Sequence, residues 1–158
     1  MPRNYDEIVL IGDCGAVKTD GTDLVLNSLA KLLPSKPNSA VIFLGDNIYP
    51  EGLPPEEDEN RAKAESRLKA QLQAVEKFPG KKVFISGNHD WQKGKADGLE
   101  YVLRQEAYVN AFFGDKEVFL PAGGQPGPVE INFSAALCIV VINTHWWIHK
   151  DKPVYENA

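Results

Sequence analysis

The sequence predicts an α/β fold, a mainly parallel sheet of βαβ units with one antiparallel strand pair, on three observations. Short apolar runs rich in Val, Ile and Phe at 7–11, 40–44 and 82–86 lack the alternation of a half-exposed strand, so they read as strands buried on both faces. The segments between them carry helical periodicity, and strand–helix alternation at this spacing favours right-handed parallel crossovers. Beyond Gly114 two further strand-like runs are joined by a link so short that only an antiparallel pairing fits.

Taken in order, "EIVLI" at 7–11 is the first strand. A helix over Asp23–Leu33 keeps Val25, Leu29, Leu32 and Leu33 on one face and is ended by Pro34. "AVIFL" at 40–44 is the second strand. From Asp58 to Phe78 a helix carries the stripe Ala64, Leu68, Leu72 and Val75, with acidic residues in its first turn and a Glu65–Lys69 pair, and Pro79-Gly80 stops it. "KVFIS" at 82–86 follows, then a helix over Gly98–Phe113 with Gly114 at its C-cap. "FLPAGGQPGP" at 119–128 is loop, and "VEINFS" and "LCIVVIN" form the antiparallel pair. The tail "HWWIHKDKPVYENA" is expected to add neither strand nor helix. At 158 residues and 43% hydrophobic content, residues 1–158 are expected to form one domain.

A net charge of -5 with no Lys/Arg-rich run gives no electrostatic footprint for nucleic acid. No apolar run is long enough for a membrane span. Cys14 and Cys138 are too few and too far apart for a disulfide scaffold or a zinc ribbon. The N-terminus has no signal-peptide pattern, which suits a cytoplasmic chain as it stands, or an exported one from which a signal was removed.

Chemistry concentrates at the strand ends. "LIGD", "FLGD" and "ISGN" each set a Gly and then a metal-capable residue, Asp13, Asp46 and Asn88, after a buried strand. In a parallel sheet the carboxyl ends of the strands lie along one edge, which makes these residues neighbours. One such dipeptide is an ordinary turn, because Asp and Asn favour turns, but three in register are not. Carboxylate and amide oxygens near His89 suit Mn, Fe, Zn or Mg. No phosphate-binding P-loop, dinucleotide fingerprint or serine-nucleophile elbow occurs.

"GDCG", "GDNIY" and "GNHD" resemble the first three motifs of the calcineurin-like metallophosphoesterases. Gly15 and Tyr49 make them similar to the purple acid phosphatase branch. The resemblance implies the first half of an α/β/β/α sandwich, hydrolysing a phosphate ester with two metal ions drawn from Fe, Mn or Zn. It implies Asp13 on the first metal, Asp46 bridging both, Tyr49 as a phenolate ligand of the first and Asn88 on the second. His89 would lie beside the substrate phosphate as the catalytic proton donor to the leaving oxygen or as a stabiliser of the phosphoryl oxygens, with Asp90 the catalytic partner that orients its ring or raises its basicity. The alternatives are that Tyr49 packs under the loop that follows it and that Asp90 caps a turn.

The family's later histidine motifs are absent, since the only histidines are His89, His145 and His149. The remaining ligands are therefore expected beyond Ala158, with weak metal binding here and self-association through an exposed apolar face, Trp146 and Trp147 contributing. His145 and His149 would share a helical face; a packed aromatic corner is expected there in preference to an improvised metal site. The competing reading is a catalytically silent, truncated α/β scaffold serving binding or assembly.

Overall fold

The computed structural model of the protein describes residues 5–150. β1 (Glu7–Ile11), β2 (Ser39–Phe43) and β3 (Lys81–Phe84) form a parallel sheet in that order. β4 (Val129–Asn132) and β5 (Cys138–Val141) pair antiparallel, with Val129 opposite Val141 and Asn132 opposite Cys138. The helices are α1 (Leu24–Leu32), α2 (Arg61–Ala74), α3 (Gly98–Phe113) and the short α4 (Thr144–Ile148). The polar tail from Asp151 onward lies outside the described residues, as does the start of the N-terminal segment read for a signal peptide.

The central strand explains the layering. Alternate side chains of a strand point to opposite faces, so Val41 and Phe43 join Phe84 in one core with Leu29, Leu68, Leu72 and Val102 of the helices. Ala40, Ile42 and Val83 pack on the other face against Ile131, Phe133 and Val141 of the β4–β5 pair. Phe43 and Phe84, opposite each other in register, stack at 4.1 Å. Helices, parallel sheet and antiparallel pair therefore form three layers.

Only β2 is buried along its whole length. β1 is an edge strand with Leu10 58% exposed, so its unbroken apolar run reflects something other than two covered faces. Leu44, Ile142 and Ile148, which line one cleft, are exposed as well and leave an uncovered apolar surface there.

The helices depart from expectation at their edges. Asp23 caps α1 by accepting from the amides of Val25 and Leu26. The buried face is Leu26, Leu29 and Leu33, whereas Val25 and Leu32 are exposed, a rotation that a short stretch with apolar residues at both ends does not reveal. α2 starts at Arg61, later than its acidic approach suggested, so Glu56 to Glu59 lie in the preceding turns and Arg61, not Lys69, pairs with Glu65. Its stripe is buried as expected and runs on through Val75 to Phe78 in the turn after the helix. α3 keeps its bounds and ends at Gly114. α4 was not expected; the Asn143 side chain accepts from Trp146 N and starts it. Among the described residues no helix is long and apolar enough to cross a membrane.

Candidate metal centre

The sheet continues as isolated hydrogen bonds past its formal ends. Leu44 N donates to Ile11 O at 2.7 Å, Ile85 N to Phe43 O at 3.0 Å and Asp13 N to Gly45 O at 3.3 Å. This extension brings the turns bearing Asp13, Asp46 and Asn88 side by side. The Tyr49 hydroxyl reaches both carboxylates, 2.5 Å from Asp13 Oδ1 and 3.2 Å from Asp46 Oδ2. Asp13, Asp46 and Asn88 line one open cleft of about 840 Å³, together with Lys93 and His145.

Backbone geometry fixes this arrangement. Asp13 and Asp46 have φ of 57° and 53°, a left-handed conformation that Asp tolerates better than most residues and that recurs where function demands strain. A Cβ at Gly87 would stand 2.2 Å from Asp46 Oδ1, so only Gly lets the third turn close on the second. A Cβ at Gly15 would stand 2.5 Å from Tyr49 N and 2.8 Å from its ring. Gly15 and Tyr49 are therefore a steric pair: the small residue in the first turn makes room for the large one in the second.

His89 and Asp90 divide differently from expectation. The His89 amide donates to Asp46 Oδ1 at 3.0 Å, and its ring lies edge-on to Tyr49 with centroids 4.3 Å apart. Its Nδ1 lies 2.6 Å from Pro50 O. A carbonyl only accepts, so Nδ1 carries the proton of that bond and Nε2 is the nitrogen left for chemistry. Asp90 does not touch the ring. It is fully buried and accepts from Gly87 N at 2.8 Å, Ile48 N and Asn47 N at 3.1 Å, and Asn47 Nδ2 at 3.2 Å. The turns after β2 and β3 leave amides without ladder partners, and the carboxylate turns inward to receive them. Burial pushes its carboxyl up to about 7, against the pull of those amides. The hydrogen bond to the His89 ring thus comes from the Pro50 carbonyl, while Asp90 accepts the amides of the turns. It caps no helical turn, since Trp91 precedes the turn at Gln92–Gly94.

Two supports escaped the sequence reading. Gln71 of α2, fully buried, donates through Nε2 to Asn47 O at 2.7 Å and Cys14 O at 3.2 Å, tying together the turns that carry Asp46 and Asp13. Arg67 Nη1 donates to Tyr49 O at 2.7 Å. A glutamine one turn from Leu68, within an apolar stripe, was the available signal. His145 and His149 form an aromatic corner on buried Trp91, with centroids at 5.6 and 5.7 Å, and His149 Nε2 lies 3.0 Å from Lys95 O. Burial holds the His145 imidazole below its usual range; His149 adds to this and Asp46 opposes it.

The donors suit a hard cation, though incompletely. Two carboxylates and a phenol meet, and the hydrogen bond to Asp13, then burial and the Asp46 charge, push the Tyr49 hydroxyl above its ordinary range. One shared proton occupies a cluster that a cation's charge would relieve. Among the described residues no three His, Cys, Asp or Glu side chains are grouped to hold a metal, so the ligation offered here depends on Tyr49 and Asn88.

A family model for calcineurin-like phosphoesterases matches residues 7–153. The chain belongs to the calcineurin-like phosphoesterase family. No curated protein and no solved structure matches it. Calcineurin-like phosphoesterases generally bind divalent metals and hydrolyse phosphoesters, and the match takes in every strand-end turn described above.

Proposed function

We propose that this calcineurin-like phosphoesterase is a phosphoric ester hydrolase of purple acid phosphatase type, built around a dinuclear metal centre. The observation that carries the reading is the convergence of Asp13 and Asp46, from adjacent parallel strand ends, on the Tyr49 hydroxyl. Asp13, Asp46 and Tyr49 would hold one ion, and Asp46 with Asn88 would hold the other. Bound metal supplies Lewis acidity and positive charge that an acidic chain lacks. His89, with Nδ1 committed to Pro50 O, presents Nε2 to the leaving oxygen and hands over its proton when the ring is charged. Gly15 supports the purple branch because it clears the place that the Tyr49 ring fills.

Metal content and aryl-phosphate hydrolysis, measured on the chain and on Asp46→Ala and His89→Ala, test the assignment. Asp46→Ala should lose metal, whereas His89→Ala should retain it and lose about a hundredfold in turnover. Equal metal in wild type and Asp46→Ala would remove the site. An iron-loaded form should absorb in the violet and lose the band in Tyr49→Phe; a colourless, active iron form would remove the purple branch. Failure to take up any metal would favour the silent scaffold.

A further inference from the structure

The stretch that follows Ile48 is rich in proline, and three of its peptide bonds, Tyr49-Pro50, Leu53-Pro54 and Pro54-Pro55, precede one. Proline has no N–H, so the carbonyl is the one polar group by which such a peptide can be held. Each of these carbonyls is held by an arginine. Arg67 Nη1 donates to Tyr49 O at 2.7 Å, Arg104 Nε to Leu53 O at 3.0 Å and Arg61 Nη1 to Pro54 O at 2.6 Å.

The three arginines are not equivalent. Arg61 also pairs with Glu65 and Arg104 with Glu100, and the carbonyls they hold lie further along the loop. Arg67, half-buried on α2, forms no ion pair among the described residues and commits a guanidinium nitrogen to the Tyr49 carbonyl. Gln71, four residues on and so on the same face of α2, takes Asn47 O at 2.7 Å. That face therefore holds the backbone on both sides of Ile48. From the other direction Tyr49 N donates to Gly15 O at 2.9 Å, so residue 49 is fixed at its amide and at its carbonyl. Its hydroxyl then meets Asp13 and Asp46. The next carbonyl, Pro50 O, is the partner of His89 Nδ1 at 2.6 Å. One peptide unit thus lies between the phenol and the imidazole contact, and Arg67 is its anchor.

We propose that Arg67 is a positioning residue for this centre: by holding the Tyr49 carbonyl it sets where the phenol meets the two carboxylates and, through Pro50 O, where the His89 ring points. Its use in catalysis rests on the phosphoesterase reading, whereas the placement belongs to the metal-free chain as well. The phenol oxygen stands at the far end of a long side chain, so a small rotation of the backbone displaces it most. A displacement of about 1 Å can cost about a hundredfold in rate.

Three variants test this. Arg67→Met keeps the stem and removes the donor, Arg67→Lys keeps the charge with a different donor geometry, and Arg61→Met removes the corresponding hold on Pro54 O. In the metal-free chain NMR reads the ring signals of Tyr49 and His89, which lie edge-on at 4.3 Å and shift each other; Tyr49→Phe and His89→Gln assign them. Both signals should move in Arg67→Met, fall between in Arg67→Lys and stay at wild-type positions in Arg61→Met. Loaded with iron, Arg67→Met should lose about tenfold in affinity and show a weakened or displaced violet band, and Arg61→Met should show neither change. The urea midpoints of the two Met variants should fall together, which separates placement from lost stability. Unmoved ring signals in Arg67→Met, or equal movement in Arg61→Met, would overturn the proposal and leave the phosphoesterase reading standing. A wild-type chain that takes up no iron would remove that reading, and the metal-free ring signals would still decide for or against Arg67.

Discussion

Asp90 shows how much one buried carboxylate can organise. Its two oxygens receive amides from Asn47, Ile48 and Gly87, so the turn carrying Asp46 and the turn carrying Asn88 share a single acceptor. Truncation leaves several buried donors unpaired at once, each worth roughly 1–3 kcal/mol. Asp90→Ala should therefore lose about 3 kcal/mol or more of unfolding free energy in urea titration. Asp90→Asn should recover only part of it, because its amide nitrogen faces donors where the carboxylate presented a second acceptor. A near-neutral Asp90→Ala would show that these turns hold each other without it. His89 is a contrasting case: half-buried and bonded to one carbonyl, its loss should cost turnover with little stability.

At the level of elements, α2 supplies both core and site support. Leu68 and Leu72 fill the core, while Gln71, on the same helix, reaches the carbonyls of Cys14 and Asn47. Gln71→Leu should weaken zinc affinity about tenfold and cost about 1–2 kcal/mol in stability, since two turn carbonyls lose their donor. Leu68→Ala, a cavity mutation in the same helix costing about 2–5 kcal/mol, should leave zinc affinity near wild type. Equal loss of affinity in both would reduce Gln71 to a core residue. What was legible in the sequence divides along the same line. β2, α3 and the β4–β5 pair were readable because burial and periodicity agree there. The buried face of α1 was not, because Leu24, Val25, Leu26, Leu32 and Leu33 offer two overlapping stripes. α4 depends on a cap from Asn143 and on docking against Trp91, which are tertiary facts. Asp13, Asp46, Tyr49 and Asn88 could be named from their motifs. The inward turn of Asp90 could not, because it answers amides contributed by a turn far away in sequence.

For the whole molecule the deciding quantity is charge. A chain of net charge -5 places Asp13 and Asp46 on one phenol and closes Gly87 against the second carboxylate, leaving the negative charge little room to spread. Such a cluster rewards any cation that binds the folded state alone. Saturation at about a hundred times the dissociation constant adds roughly 2.7 kcal/mol. With zinc or manganese in that excess, the melting temperature should rise by about 5–11 °C over the EDTA-treated chain. Asp46→Ala should abolish the rise. The same variant without metal should melt below wild type, because the His89 amide and the Tyr49 hydroxyl lose an acceptor and Ala tolerates the left-handed conformation at this position less well than Asp. Sodium chloride raised to match ionic strength separates screening from binding: a rise that salt reproduces would mean that the acidic turns repel each other without forming a cation site.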